Sequence, residues 1–218
     1  MTKIFASILN ADLAHLADTS KLIADAGADY LHYDVMDGCF VDNISFGLPV
    51  LQSLRNVTKL PIDVHLMIRE PLRFIDRFAE AGADMISFHI ESDSDVKKTI
   101  EAIHAKELRA GLAVSPDTSL DGLYPFLSSL HDEDYVLLMT VQPGMGSQKF
   151  MAEVLDKIER LSKHLKAENR RIHIQVDGGI QAQTAALCRA AGADYLVSGS
   201  YLVYAENPNA AVESLRAE

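Results

Sequence analysis

Apolar residues gather in eight short runs, and between them lie longer stretches in which polar and apolar residues interleave. The runs cover 4–9, 31–36, 61–67, 85–90, 108–114, 135–141, 172–176 and 195–197, and their length and flanking turn residues predict strands. The intervening stretches predict helices. Asn10 and Asp12 offer caps for one that runs to Ala26 and ends at Gly27; Pro71 opens another that runs to Ala81 and ends at Gly82. Helices are also expected at 48–56, 94–106, 151–167 and 181–191, one is opened by Ser115-Pro116-Asp117-Thr118, and a short one closes the chain. Gly38 to Gly47 and Gln142 to Lys149 read as loops.

The tetrapeptide Ala-Gly-Ala-Asp occurs at 26–29, 81–84 and 191–194, each time where a helix gives way to a strand. That repetition marks a recurring supersecondary unit in which Gly closes the helix and the chain re-enters the sheet. Strict alternation of strands and helices implies a parallel sheet. Eight units in 218 residues fit a (β/α)8 TIM barrel, α/β in class, better than an open doubly wound sheet. No linker or shift in composition divides the chain, so a single domain over 1–218 is expected.

Composition narrows the partners. At 48% apolar the chain can bury a large core, which argues against disorder. A net charge of −11 without a Lys/Arg-rich run excludes nucleic acid and an anionic membrane surface as expected partners. It does not exclude a phosphorylated small molecule, since backbone amides bind phosphate with few cations. Cys39 and Cys188 make no disulfide framework, the N-terminal residues lack the pattern of a signal peptide, and no apolar run is long enough to span a bilayer. A cytoplasmic protein is the expectation.

In barrels of this kind the chemistry sits at the C-terminal ends of the strands. The polar residues there are Ser7, His32, Asp34, His65 and Asp177, with Met36, Met67 and Met139 beside them. Side chains alternate along a strand, so His32, Asp34 and Met36 share one face. A buried unpaired carboxylate costs roughly several kcal/mol. A hydrogen-bonded His–Asp pair removes that cost, and so does a metal ion. Singly, His65 reads as a core histidine and Asp177 as a turn residue before Gly178-Gly179. Together, two imidazoles and two carboxylates from three strands suit one divalent metal; the donor types disfavour magnesium or calcium and allow Zn, Fe(II), Mn or Co. A second set suits phosphate: Pro143-Gly144-Met145-Gly146-Ser147 after the sixth strand, Gly178-Gly179 after the seventh and Gly199-Ser200 after the eighth. Glycines there let backbone amides approach an anion.

The segments Ser7-Ile8-Leu9-Asn10-Ala11-Asp12, His32-Tyr33-Asp34-Val35-Met36-Asp37-Gly38, Phe40-Val41, Asp63-Val64-His65-Leu66-Met67, Pro143-Gly144-Met145-Gly146, Val176-Asp177-Gly178-Gly179-Ile180 and Gly199-Ser200 fall in order along nearly the whole chain. This set resembles the ribulose-phosphate 3-epimerase family. The resemblance implies a (β/α)8 barrel, one divalent metal, a phosphorylated ketose as substrate and a homo-oligomer. It also implies roles: His32, Asp34, His65 and Asp177 as metal ligands and Asp34 and Asp177 as the proton-transfer pair. Ser7, His65, Gly144, Met145, Gly146, Ser147, Gly178, Gly179, Gly199 and Ser200 would then meet substrate, with Met36, Met67 and Met139 as the active-site wall. The chain departs from the family pattern at Asp42, Met145, Ser147, Ser115 and Tyr201, on the substrate rim and phosphate loop. The implied reaction is inversion of C3 between D-ribulose 5-phosphate and D-xylulose 5-phosphate. Alternatives are the same inversion on a hexulose phosphate such as D-allulose 6-phosphate, a lyase of the orotidine-decarboxylase type, or a ligand-binding barrel without turnover. The lyase pattern Asp-x-Lys meets Asp63-Val64-His65 here, with no lysine.

Overall fold

The computed structural model describes residues 2–217. Eight parallel strands close into a barrel in chain order: β1 Lys3–Ser7, β2 Tyr30–Met36, β3 Ile62–Met67, β4 Met85–His89, β5 Arg109–Val114, β6 Tyr135–Met139, β7 His173–Asp177 and β8 Tyr195–Ser198. Around it run α1 Leu16–Asp25, α2 Leu48–Val57, α3 Ile75–Glu80, α4 Val96–His104, α5 Tyr124–Leu127, α6 Val154–Ala167, α7 Ala182–Ala191, α8 Ser200–Val203 and α9 Pro208–Arg216. This is the expected (β/α)8 barrel. No helix among the described residues is long and apolar enough to cross a membrane.

The strands sort their side chains by parity, as a pleated sheet must. Outward residues such as Ile4, Leu31, Tyr33, Val64, Ile86, Val136 and Leu196 join the helices in the main hydrophobic layer. Inward residues such as Phe5, Met85, Ala113, Tyr135, Leu137 and Tyr195 fill the lower and middle barrel. Apolar packing therefore closes the barrel from below and leaves inward positions toward the upper ends of β1, β2, β3, β4 and β7 to polar side chains.

Several helices are shorter than the sequence pattern predicts. The stretch from Pro71 begins as a 3-10 turn, Pro71–Phe74, before α3. The helix expected after Thr118 shrinks to a 3-10 turn at Leu120–Gly122 and the single turn of α5, where Gly122 and Pro125 both work against an α-helix. The closing segment splits into α8 and α9; Asn207 caps the latter by accepting the Ala210 N–H, with Pro208 in its first turn.

The Ala-Gly-Ala-Asp repeat acquires a physical meaning. Gly27, Gly82 and Gly192 take φ of +88°, +105° and +112°, left-handed values that end the preceding helix without a Cβ clash. The following aspartate then reaches back to the neighbouring strand. Asp29 accepts the Ile4 N–H at 2.9 Å, Asp84 the Ile62 N–H at 2.8 Å and Asp194 the Ile174 N–H at 3.1 Å. Asp134 does the same for Ala110 at 2.9 Å, although Asp-Glu precedes it rather than Ala-Gly-Ala. One aspartate thus stands before every even-numbered strand and ties down the odd strand beside it.

Candidate active site at the upper end of the barrel

Register builds the site. Pairing of β2 with β3 sets Asp34 beside His65 and His32 beside Asp63, and pairing of β1 with β2 sets Ser7 beside His32. Asp177 closes β7, next to Met139 on β6. The result is a compact cluster. His32 Nε2 lies 3.2 Å from Asp34 Oδ1 and 3.7 Å from Asp177 Oδ2, and His65 Nδ1 lies 3.2 Å from the same Asp34 oxygen. Ser7 Oγ donates to the other oxygen of Asp34 at 2.7 Å. One donor atom from each of His32, Asp34, His65 and Asp177 falls within 4.8 Å of all the others.

Hydrogen-bond arithmetic shows what this cluster lacks. Asp63 is fully buried and its carboxylate only accepts: Tyr135 donates its O–H to one oxygen, and Gln175 donates Nε2–H to the other at 2.8 Å. His32 Nδ1, 2.9 Å from that second oxygen, must therefore carry the proton it donates. The opposite nitrogen, Nε2, is buried with no hydrogen-bond partner, and what surrounds it is carboxylate oxygen. Lone pairs and negative oxygens facing one point require a cation there. In the bare protein that role falls to a proton on His32, whose pKa rises well above its usual value because Asp34 and Asp63 outweigh the opposing effect of burial. The same nitrogen and oxygen donors fit a divalent metal of the zinc or iron(II) type.

The two carboxylates are driven apart. Burial raises both. For Asp34 the neighbouring imidazoles more than reverse this and hold its carboxyl well below the usual range. Asp177 has no such relief; burial and the adjacent charge of Asp34 push it up to about 7. One group is thus an ionised acceptor at neutral pH while the other holds a proton far more readily.

A cavity of about 600 Å³ opens above the cluster. Ser7, Asp34, Asp177, Met36, Met67 and Met139 form its floor, and Gly144, Met145, Gly146, Ser147, Gly178, Gly179, Gly199 and Ser200 line one side. All expected substrate-facing residues thus border one space except His65, which with His32 stands behind Asp34. On the glycine side, Gly179 has φ +65°, and a Cβ there would sit 2.7 Å from the Phe150 backbone nitrogen, so the approach is open to glycine only. The Gln148 side chain braces the loop by donating to the Gln142 and Met145 carbonyls at 2.6 and 2.8 Å. Asn10 Nδ2 donates to both Ser147 Oγ and Ser200 Oγ at 3.0 Å.

Sequence reading missed Asn10 as a rim residue and the buried trio of Asp63, Tyr135 and Gln175. For the trio the signal was parity: Asp63, Tyr135 and Gln175 each occupy an inward position of a strand, and a carboxylate and an amide there are as unusual as His32 and Asp34.

A family model described as the ribulose-phosphate 3 epimerase family matches residues 3–203. The chain belongs to the ribulose-phosphate 3-epimerase family. It is 42% identical to the ribulose-phosphate 3-epimerase of Bacillus subtilis (strain 168), covering 99% of each chain. It is 39% identical to the cytoplasmic isoform of ribulose-phosphate 3-epimerase from Oryza sativa subsp. japonica, over 98% of this chain and 92% of that one. Similar folds extend beyond the family. A 3-keto-L-gulonate-6-phosphate decarboxylase from Vibrio cholerae superposes with a TM-score of 0.72 at 14% identity, over 99% of this chain and 96% of that one. A 3-hexulose-6-phosphate synthase from Salmonella typhimurium gives 0.70 at 16%, over 98% and 96%. At those identities the likeness is one of barrel architecture. As a family member the chain is an epimerase of carbohydrate metabolism with a candidate metal site at His32, Asp34, His65 and Asp177.

Proposed function

We propose that this epimerase interconverts D-ribulose 5-phosphate and D-xylulose 5-phosphate by moving a proton off one face of C3 and onto the other. The observation that carries the reading is the pair Asp34 and Asp177, which reach one point from β2 and β7 with their proton affinities pushed in opposite directions. Inversion needs two such groups, because a single base on one face returns the configuration it started with.

Asp34 acts as the base. Ser7 orients it through the bond to Oδ2, leaving Oδ1 toward the imidazoles. Removing the C3 proton flattens that carbon into an enediolate. Asp177 holds its proton near pH 7 and delivers it from the opposite side; in the reverse direction the two exchange roles. Each positioned acid or base contributes roughly 10²–10⁴-fold. A divalent metal, held by His32, Asp34, His65 and Asp177, would supply Lewis-acid stabilisation of the negative charge that develops on the substrate oxygens. Met36, Met67 and Met139 exclude water from the floor, where it would quench the carbanionic carbon and weaken the electrostatics. The amides around Gly178, Gly179, Gly199 and Ser200 would take the phosphate, and a cavity of about 600 Å³ accommodates a pentulose phosphate.

Epimerisation in D₂O tests the scheme. The expected product carries deuterium at C3; product free of deuterium, with the site open to bulk solvent, refutes transfer through two exchangeable carboxylates. Measuring kcat/KM for ribulose 5-phosphate against allulose 6-phosphate decides between a pentulose and a hexulose substrate.

A further inference from the structure

Behind His65, away from the cavity, lies a second imidazole that the proposed proton transfer does not use. His65 Nε2 is 3.0 Å from His89 Nε2, and His89 Nδ1 is 3.1 Å from Glu91 Oε2. Both rings are fully buried. The Phe40 ring packs at 4.9 Å against His89. Glu91 spends its other oxygen, Oε1, on the Ser115 N–H at 2.8 Å. Ser115 Oγ also stands 3.4 Å from His89 Nδ1.

Two rings joined Nε2 to Nε2 share a single proton, and the partner at the far end of the chain biases which ring carries it. Glu91 is an ionised acceptor, held at about 2 because His89, Thr118 and the Ser115 amide outweigh its burial. His89 Nδ1 must then donate. With its proton on Nδ1, the fully buried His89 ring presents the lone pair of Nε2 to His65. That lone pair makes His65 Nε2 the donor between the two rings. A neutral His65 protonated on Nε2 has its lone pair on Nδ1, the atom 3.2 Å from Asp34 Oδ1.

We propose that His89 and Glu91 are positioning residues of the metal site, passing tautomer information from a carboxylate through one imidazole to the next so that His65 presents Nδ1 as a ligand. The proposal rests on the reading that the cluster binds a divalent metal. It sets the two histidine ligands apart: Asp63 orients His32 directly, whereas Glu91 orients His65 at one remove. It also gives Glu91 a second task, since the Ser115 amide it holds begins the loop after β5.

The test uses the full-length protein, with Co(II) as the metal probe and three variants. In Glu91→Gln one contact must become donor to donor, which frees His89 to reverse and exposes His65 to the wrong tautomer at nearly constant volume. His89→Leu leaves the His65 Nε2–H without an acceptor. His89→Gln restores one through its amide oxygen. Co(II) affinity, measured by chelator competition, is expected to fall roughly 10–100-fold in Glu91→Gln and His89→Leu and to stay within about threefold of wild type in His89→Gln. In metal-free protein, ¹⁵N spectra are expected to show His65 protonated on Nε2 in wild type and His89→Gln, and shifted toward Nδ1 protonation in Glu91→Gln. Wild-type Co(II) affinity in both Glu91→Gln and His89→Leu overturns the proposal, as does an Nδ1-protonated His65 in the wild type. If the wild type binds no Co(II) yet shows His65 protonated on Nε2, the metal reading fails while the relay itself stands.

Discussion

The two ends of this barrel use the same residue type for opposite ends. At the lower rim Asp29, Asp84, Asp134 and Asp194 each meet a backbone N–H of the neighbouring strand, and Asp29 also meets Lys3 and Arg216. Every charge there is answered by a donor. At the upper rim Asp34 and Asp177 converge on His32 Nε2, which no hydrogen bond satisfies, with Ser7 as the hydroxyl donor to Asp34. A satisfied carboxylate stabilises the fold and does nothing else; an unsatisfied one attracts a cation and holds or releases a proton. The difference lies in the donors the register supplies, because the aspartates themselves are chemically identical.

The largest expected effect separates the rims outright. Asp34→Asn or Asp177→Asn should lower kcat by about 10³-fold or more, since each removes one of the two proposed proton carriers. Asp177→Asn should leave the melting temperature of the metal-free protein unchanged or higher, because it relieves repulsion from the buried Asp34 carboxylate, whereas Asp34→Asn, which strands the buried His32 charge, should lower it. Steady-state kinetics and calorimetry on the same samples check both halves. A variant of either residue that loses stability and keeps turnover would show that the upper rim is built like the lower one.

Metal removal comes next. Chelation should abolish most turnover, and affinity should depend on pH with a definite sign. Asp177 titrates near 7, and a proton on its carboxyl weakens its hold on the metal, so lowering the pH below 7 should weaken binding by up to roughly tenfold per unit. Titration calorimetry in buffers of different ionisation enthalpy should register proton release at pH 6. Metal affinity flat between pH 5.5 and 8 would remove Asp177 from the ligand set.

Smaller effects grade the lower rim. Asp134 is buried and answers three donors: the Ala110 and His131 amides and His104 Nε2. Asp134→Ala strands them and should cost about 3 kcal/mol, visible as a drop of roughly 6–12 °C in melting temperature. Asp84 is half-exposed and makes one strand contact plus a surface pair with Arg55, so Asp84→Ala should cost only about 1 kcal/mol. Neither should change KM, or kcat by more than about twofold, once the protein is folded.

How far the sequence foretold this architecture depends on whether a signal is local. Strand positions follow from apolar runs, and the clustering of His32, Asp34, His65 and Asp177 follows from parity plus the rule that barrels work at their upper ends. Gly122 and Pro125 break a stretch whose pattern is otherwise helical. Asp134 was hidden because it performs the repeat's function without the repeat's letters. The pairings of Asp63 with Tyr135 and Gln175, and of His65 with His89, depend on how far neighbouring strands are staggered, and that stagger is a property of the closed barrel that no segment contains by itself.

The smallest effect concerns pH and the lower rim alone. His173 lies between Asp194 and Glu133, 3.7 and 3.3 Å from their carboxylates. The nearby Asp194 carboxylate raises its pKa, partial burial opposes this, and Glu133 adds to the rise. A histidine whose folded pKa exceeds its unfolded value stabilises most fully below the unfolded value, about 6.5, and the contribution fades as pH climbs through the folded one. Both partners are well exposed, so solvent screening limits the contribution to well under about 1 kcal/mol. His173→Gln should therefore lower stability slightly at pH 6 and leave it unchanged at pH 9, with the two denaturation curves converging between. Because Asp194 also holds the Ile174 N–H, Asp194→Ala should remove most of the same pH dependence and lower stability at every pH besides. A difference between those two variants that persists at pH 9 isolates the strand clamp from the charge.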